Sequence, residues 1–252
     1  MAYGFRAKND SNQIQIDGQN PNYCFVEGAS NVTVTNGGGT TNYWTHISVT
    51  SSTKPPLILF QPNTDAFVTI DSYSKTGNSY DGFNAVTQHP NTGDSSTTIN
   101  WKKYLPTPGQ STDTYGLRVY NDSNETVYDS GKNYFKIHSV ESIDIAVDDS
   151  PVTITHSGIS DPYYILAPTG FWVIAIPGVS IRFFKVGLKK ISSTQVSVGW
   201  FYYAAGAYSP GSPNENDGIA PTFKLIICEA VSYTHLRAHE TSLHLVCRLL
   251  LE

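Results

Sequence analysis

Short apolar runs broken by turn residues dominate the chain, and none before the last twenty or so residues keeps a helical period. In residues 115–129, "YGLRVYNDSNETVYD", Leu117, Val119 and Tyr128 alternate with polar neighbours around Asn-Asp-Ser-Asn. That is the pattern of a β-hairpin: period two on each strand, and turn formers whose side chains bond nearby backbone. Residues 3–17, "YGFRAKNDSNQIQID", repeat the pattern with Phe5, Ala7, Ile14 and Ile16. The most apolar stretch, 163–184, is cut by Pro168, Gly170, Pro177 and Gly178, and so reads as two buried strands rather than a membrane span. Gly37-Gly38-Gly39, Lys54-Pro55-Pro56, Asp81-Gly82, His89-Pro90 and Ser209-Pro210-Gly211 punctuate the rest. The expectation is an all-β protein.

The two hairpin phrases share 8 of 15 residues without a gap: Tyr3, Gly4, Arg6, Asn9, Asp10, Ser11, Asn12 and Asp17 against Tyr115, Gly116, Arg118, Asn121, Asp122, Ser123, Asn124 and Asp129. Weaker parallels continue. "NYCFV" at Asn22 matches "NYFKI" at Asn133, and "NVTV" at Asn31 is placed like "SIDI" at Ser142. "LILFQPNTDAFVTI" from Leu57 parallels "YILAPTGFWVIAI" from Tyr164, and "TTINW" ending at Trp101 parallels "TQVSVGW" ending at Trp200. The pattern predicts two tandem β-sandwich domains, immunoglobulin-like or jelly-roll-like, from an internal duplication: residues 1–108 and 109–229. One fused sandwich is the alternative.

Composition narrows the function. Charged residues are 15% of the 252, against roughly 25% in an average soluble protein, and Tyr, Thr, Ser, Asn and Gly take their place. A net charge of −5 gives no basic footprint for nucleic acid. Cys24, Cys228 and Cys247 have no paired spacing, and no secretion signal opens the chain, so free thiols in a reducing cytoplasm are expected. The sequons at Asn9, Asn31, Asn121 and Asn124 then read as turn chemistry.

From Ala230 the style changes to "AVSYTHLRAHETSLHLVCRLLLE". Its "HETSLH" has one residue too many for the zinc-protease motif, which turns the second imidazole by about 100° around a helix. The segment closely resembles a translated sequencing-adapter read-through, as found at contig ends of metagenomic assemblies. Residues 230–252 are expected to be non-native, with the natural chain cut near Glu229.

No sequence motif carries catalysis. G-x-S-x-G, the P-loop and G-x-G-x-x-G are all lacking. Asp10/Asn12 and Asp122/Asn124 have the spacing that opens a calcium loop, but Gln15 and Val127 stand where its sixth-position Gly belongs. "SPNENDG" from Ser212 is an acidic loop. Asp71, Asp81, Asp94, Asp113 and Asp161 are scattered, and His46, His89, His138 and His156 are isolated. No metal or cofactor is expected. The aromatic run Trp200-Phe201-Tyr202-Tyr203 is the richest surface candidate, because Tyr and Trp combine apolar area with a polar tip. One alternating set of a strand faces outward; Trp200, Tyr202 and Tyr203 are the candidate contacts for a glycan or protein partner.

The hairpin phrases, with "SGKNYFKI" after the second, resemble small all-β tail-tip or tail-fibre-associated virion proteins of tailed bacteriophages. The resemblance covers about 15 residues at the start and about 23 from Tyr115. Lys8 stands where an apolar or aromatic residue like Tyr120 is usual, so the first copy is the looser fit. The resemblance carries no catalytic residues. It implies a non-enzymatic structural protein, assembled in the bacterial host cytoplasm into a virion. Its implied contacts are other virion proteins, further copies of itself (a trimer included) and a host-surface glycan or receptor. A capsid decoration protein is the alternative on the same virion surface.

Overall fold

The computed structural model describes residues 6–8, 14–17, 22–37, 43–63, 66–92, 95–106, 109–112, 116–146, 149–167, 171–176, 180–206, 217–219 and 222–231. Up to residue 108 the chain supplies β1 (Arg6–Lys8), β2 (Ile14–Asp17), β3 (Cys24–Thr35), β4 (Trp44–Ser52), β5 (Leu57–Pro62), β6 (Val68–Thr76), β7 (Ser79–Thr87) and β8 (Ser96–Leu105). Beyond it come β9 (Arg118–Tyr120), β10 (Thr126–Asp129), β11 (Tyr134–Ile143), β12 (Val152–Thr155), β13 (Pro162–Ala167), β14 (Phe171–Ile176), β15 (Ser180–Lys190), β16 (Gln195–Gly206), β17 (Asp217–Ile219) and β18 (Phe223–Val231). A 3-10 turn at Pro90–Thr92 is the only helical element among the described residues. The all-β expectation holds.

Two hairpins, β1–β2 and β9–β10, form small sheets of their own. The other strands build two larger layers. In one, β3, β8, β5, β13, β18 and β11 follow one another and close into a barrel, ordered β11-β18-β13-β5-β8-β3. In the other, the order is β12-β16-β15-β6-β7-β4, with β14 beside β15 and β17 beside β14. Each layer therefore takes strands from either side of residue 108. Two separate sandwiches would close on their own strands; here the halves meet at three antiparallel seams. Cys24 pairs with Tyr134, Phe60 with Tyr164 and Val68 with Leu188. The boundary expected at residue 108 falls inside this shared arrangement.

Strand order is symmetric about the seams. In the barrel, β3, β8 and β5 are mirrored by β11, β18 and β13; in the open sheet, β4, β7 and β6 are mirrored by β12, β16 and β15. Two of the sequence parallels join strands that this order does not mirror. By position β8 ("TTINW") corresponds to β18, not to β16 ("QVSVGW"), whose counterpart is β7. By position β15, not β14 ("FWVIAI"), corresponds to β6. β14 and β17 have no mirrored strand in this order among the described residues.

Period-two alternation builds the main core. On β8 the side chains of Thr97, Ile99, Trp101 and Lys103 are buried in turn. Phe60, Ile99, Trp101, Leu166, Leu225 and Ile227 from the barrel strands pack with Val68, Phe83, Ala85, Val186, Leu188, Val196 and Val198 from the open sheet. The result is a two-layer, sandwich-like core. Where β15 meets β6, Gly187 is required: a Cβ there would lie 2.6 Å from Phe201 Cε1 and 2.8 Å from the Val68 carbonyl oxygen.

Candidate functional site

The hairpin β9–β10 shows what the repeated phrase is for. Arg118 and Asp129 are cross-strand partners, and Arg118 Nε donates to Asp129 Oδ2 at 3.1 Å. Asp129 is buried and also accepts from Ser111 N (2.7 Å), Ser111 Oγ (3.0 Å) and Gly131 N (2.8 Å). Burial pushes its carboxyl up, but these bonds outweigh it and hold the group below the usual carboxylate range. Asn121 Oδ1 accepts from Ser123 N at 3.0 Å and Glu125 N at 2.8 Å, which folds the turn, and Asn124 takes a left-handed φ of 60°. Asp122 lies exposed in that turn. Gly116, at φ 133°, leaves no room for a Cβ beside Ser130 Oγ. The hairpin seats Val119, Val127 and Tyr128 on Cys24 and Tyr134, at one of the seams. In the first copy Arg6 and Asp17 are backbone partners in the same way; Tyr3, Gly4, Asn9 and Asp10, and Tyr115 in the second copy, lie outside the described residues. The phrase is a hairpin brace, and its D-x-N spacing serves the turn.

The aromatic run lies on β16, and its alternation splits the candidates. Trp200 faces the main core with Val196 and Val198; its indole N–H donates to the Ile145 carbonyl at 3.0 Å and its ring meets Phe223 edge-on at 5.7 Å. Tyr203, 6% exposed, packs on the opposite face with Phe67, Phe201, Tyr43 and Phe183. Trp200 and Tyr202 are both half-buried, but the Trp200 ring is taken up by these core contacts. The Tyr202 ring lies 4.6 Å from His89 and 5.7 Å from Phe184, with the exposed Arg182 guanidinium 5.8 Å away. A register shift between Phe183 and Phe184 sets Phe184 opposite Tyr202.

Other candidates are absorbed structurally. Asp71 pairs with Lys185, Asp161 with Lys102, and Asp81 with the Thr76 hydroxyl; Asp94 and Asp113 lie outside the described residues. His46 Nδ1 is 3.1 Å from Asn84 Oδ1. His156 is buried, with Nε2 2.7 Å from the Tyr164 hydroxyl; burial, then the nearby His138, hold its pKa below the ordinary value. Cys24 and Cys228 are buried free thiols pushed up by burial to about 11 and about 12, the opposite of a reactive cysteine. Among the described residues no three His, Cys, Asp or Glu side chains gather as metal ligands. Of the acidic loop only Asp217 and Gly218 are described, in β17. The His-rich tail from residue 232 and Cys247 lie outside the described residues. No helix among the described residues is long and apolar enough to cross a membrane.

Sequence reasoning missed the most deeply buried charged group among the described residues. Lys103 occupies an inward slot of β8, its Nζ 2.9 Å from Glu27 Oε1 and also bonded to the Thr50 carbonyl. The signal was present in the alternation of "TTINWKKYL", which puts Lys103 in phase with Ile99 and Trp101. No protein-family model, curated protein or solved structure matches this chain.

Proposed function

We propose that this chain is a non-enzymatic structural component of a tailed-bacteriophage virion, at the tail tip or a tail fibre. The observation that carries the reading is the hairpin phrase. The residues behind the virion-protein resemblance, Gly116, Arg118, Asn121 and Asp129, are the ones that brace β9–β10 and set it on a seam. The symmetric strand order supports the duplication behind the two phrases, with the copies fused into one body. Rigid strands then present loops and exposed edges to other virion proteins. Residues 230–252 are proposed to be adapter-derived. The test is mass-spectrometric proteomics of purified particles from a host carrying the gene. Peptides from residues 1–229 are expected in stoichiometric amounts, and their absence from purified virions refutes the reading. Peptides from 232–252 in the same digest refute the adapter origin.

A second reading, contact with a host-surface glycan or receptor, rests on Tyr202 with Phe184 and Arg182 beside it. A glycan array comparing the wild type with Tyr202→Ala tests it, and unchanged binding counts against this surface.

A further inference from the structure

The space between the two layers opens at one end, beside the turn that joins β15 to β16. Period two carries the inward face of β15 through the buried Val186 and Leu188 to Lys190, so the last inward slot holds a lysine. From the barrel, Pro62 of β5 and Tyr164 of β13 continue the inward faces of Phe60 and Leu166 to the same place. Between them lies a pocket of about 60 Å3, rimmed by the exposed Ser160, Ser192 and Ser193. Lys190 has no ion pair or side-chain hydrogen bond among the described residues. Asp161, next to Ser160 in the chain, is already held by Lys102 Nζ at 3.2 Å and Gln61 Nε2 at 3.3 Å. A half-buried ammonium thus faces the pocket without a counter-charge.

Tyr164 adds a second unmet bond. Its hydroxyl lies 2.7 Å from His156 Nε2, and Nδ1 of the buried His156 has no hydrogen-bond partner among the described residues. A neutral imidazole and a phenol carry one donor hydrogen each, and their mutual bond uses only one of the two. In either tautomer one buried donor lacks an acceptor: the Tyr164 hydroxyl when Nε2 carries the ring proton, the Nδ1–H when it does not. A guest in the pocket that Tyr164 lines meets the first case, which is also the case that leaves no buried N–H unpaired.

We propose that this corner is a binding site for a phosphate group, held by the Lys190 ammonium, the serine hydroxyls of the rim and the Tyr164 hydroxyl. Every group offered is a donor and one is a cation, which suits an acceptor-rich oxyanion. The volume equals that of about two waters, the bulk of one tetrahedral anion, and lies far below the range of about 300–1,000 Å3 typical of sites for larger small molecules. The serine rim is exposed, so the group can arrive as inorganic phosphate or as the end of a phosphomonoester.

The test is proton–nitrogen NMR of the full chain titrated with sodium phosphate, against sodium chloride at equal ionic strength. Phosphate should move the amides of Ser160 and of residues 192–194 and the His156 ring nitrogens along saturating curves at millimolar concentration, and chloride should leave them in place. Lys190→Gln removes the cation and should weaken phosphate binding about ten- to hundredfold. Glycerol phosphate separates the two sources: affinity equal to or above that of inorganic phosphate assigns an ester, and weaker binding assigns the free ion. Two results overturn the proposal. One is the lack of a saturating shift at these positions, or a shift that chloride reproduces, which would mean that water alone fills the pocket. The other is wild-type phosphate affinity in Lys190→Gln. If Lys190→Gln does not fold, phosphate against chloride on the wild type still decides.

Discussion

Removing Glu27 should destabilise this protein more than removing Lys103, although the two form one ion pair. Lys103 Nζ is held by Glu27 Oε1 and the Thr50 carbonyl, while Glu27 accepts from Thr50 N at 2.8 Å and Thr50 Oγ1 at 3.0 Å. Thr50 sits on β4 between Ser48 and Ser52, where the register with β7 breaks, so the ion pair serves backbone groups that β7 does not. The partners differ in access to water: the Lys103 side chain is 1% exposed and that of Glu27 27%. Burial pushes the Glu27 carboxyl up, but the Lys103 ammonium and the Thr50 bonds outweigh it and the net shift is down. Glu27→Gln strands a buried ammonium and should cost about 3–5 kcal/mol. Lys103→Met leaves a carboxylate that keeps two donors and some water, and frees one carbonyl, a loss of about 1–3 kcal/mol. At about 2–4 °C per kcal/mol for a chain of this size, Glu27→Gln should lower Tm by about 6–20 °C. Urea unfolding of both single variants and of the double variant measures the difference. The double variant, with no buried charge left, should be more stable than Glu27→Gln alone. If Lys103→Met proves the costlier change, or the double variant loses the sum of the two, the desolvation argument is wrong.

Three further outcomes follow from the packing. Gly187→Ala should cost about 1–3 kcal/mol, because its Cβ meets Phe201 and the Val68 carbonyl at the seam; an unchanged urea midpoint would mean that β6 and β15 do not approach as described. Tyr203→Ala should cost about 3–5 kcal/mol and Tyr202→Ala clearly less, since only the first ring is buried in an aromatic cluster, and equal losses would contradict the assigned faces of β16. His156 has a folded pKa below its unfolded value, so the unfolded chain binds more protons as pH falls. Its contribution to stability is intact above the unfolded pKa of about 6.5 and is lost as pH drops through the folded value. Denaturant midpoints at pH 7.5 and 5.5 should differ less in His156→Asn than in the wild type.

Local pattern was legible in the sequence wherever a residue acts on its own neighbours. The alternation of "YGLRVYNDSNETVYD" and its Asn-Asp-Ser-Asn turn suffice to define a hairpin, and the structure adds only that Arg118 and Asp129 face each other across it. The all-β class was legible for the same reason: period two and turn residues are properties of contiguous segments. The aromatic run was half legible. Alternation correctly divides Trp200 and Tyr202 from Phe201 and Tyr203, but exposure depends on what covers each face. Phe223, Ile145, Phe67 and Tyr43 come from distant parts of the chain.

The sequence by itself determined the strands, their turns and the existence of two related phrases. Only the tertiary structure decided how the two halves combine. An internal repeat is equally compatible with two closed domains and with one body whose halves share sheets, because each strand's own pattern is satisfied either way. The choice is made at Cys24–Tyr134, Phe60–Tyr164 and Val68–Leu188, pairs separated by more than a hundred residues. The burial of Lys103 likewise depends on residues far along the chain, Glu27 and Thr50, and a pairing partner is a property of two segments that neither one encodes alone.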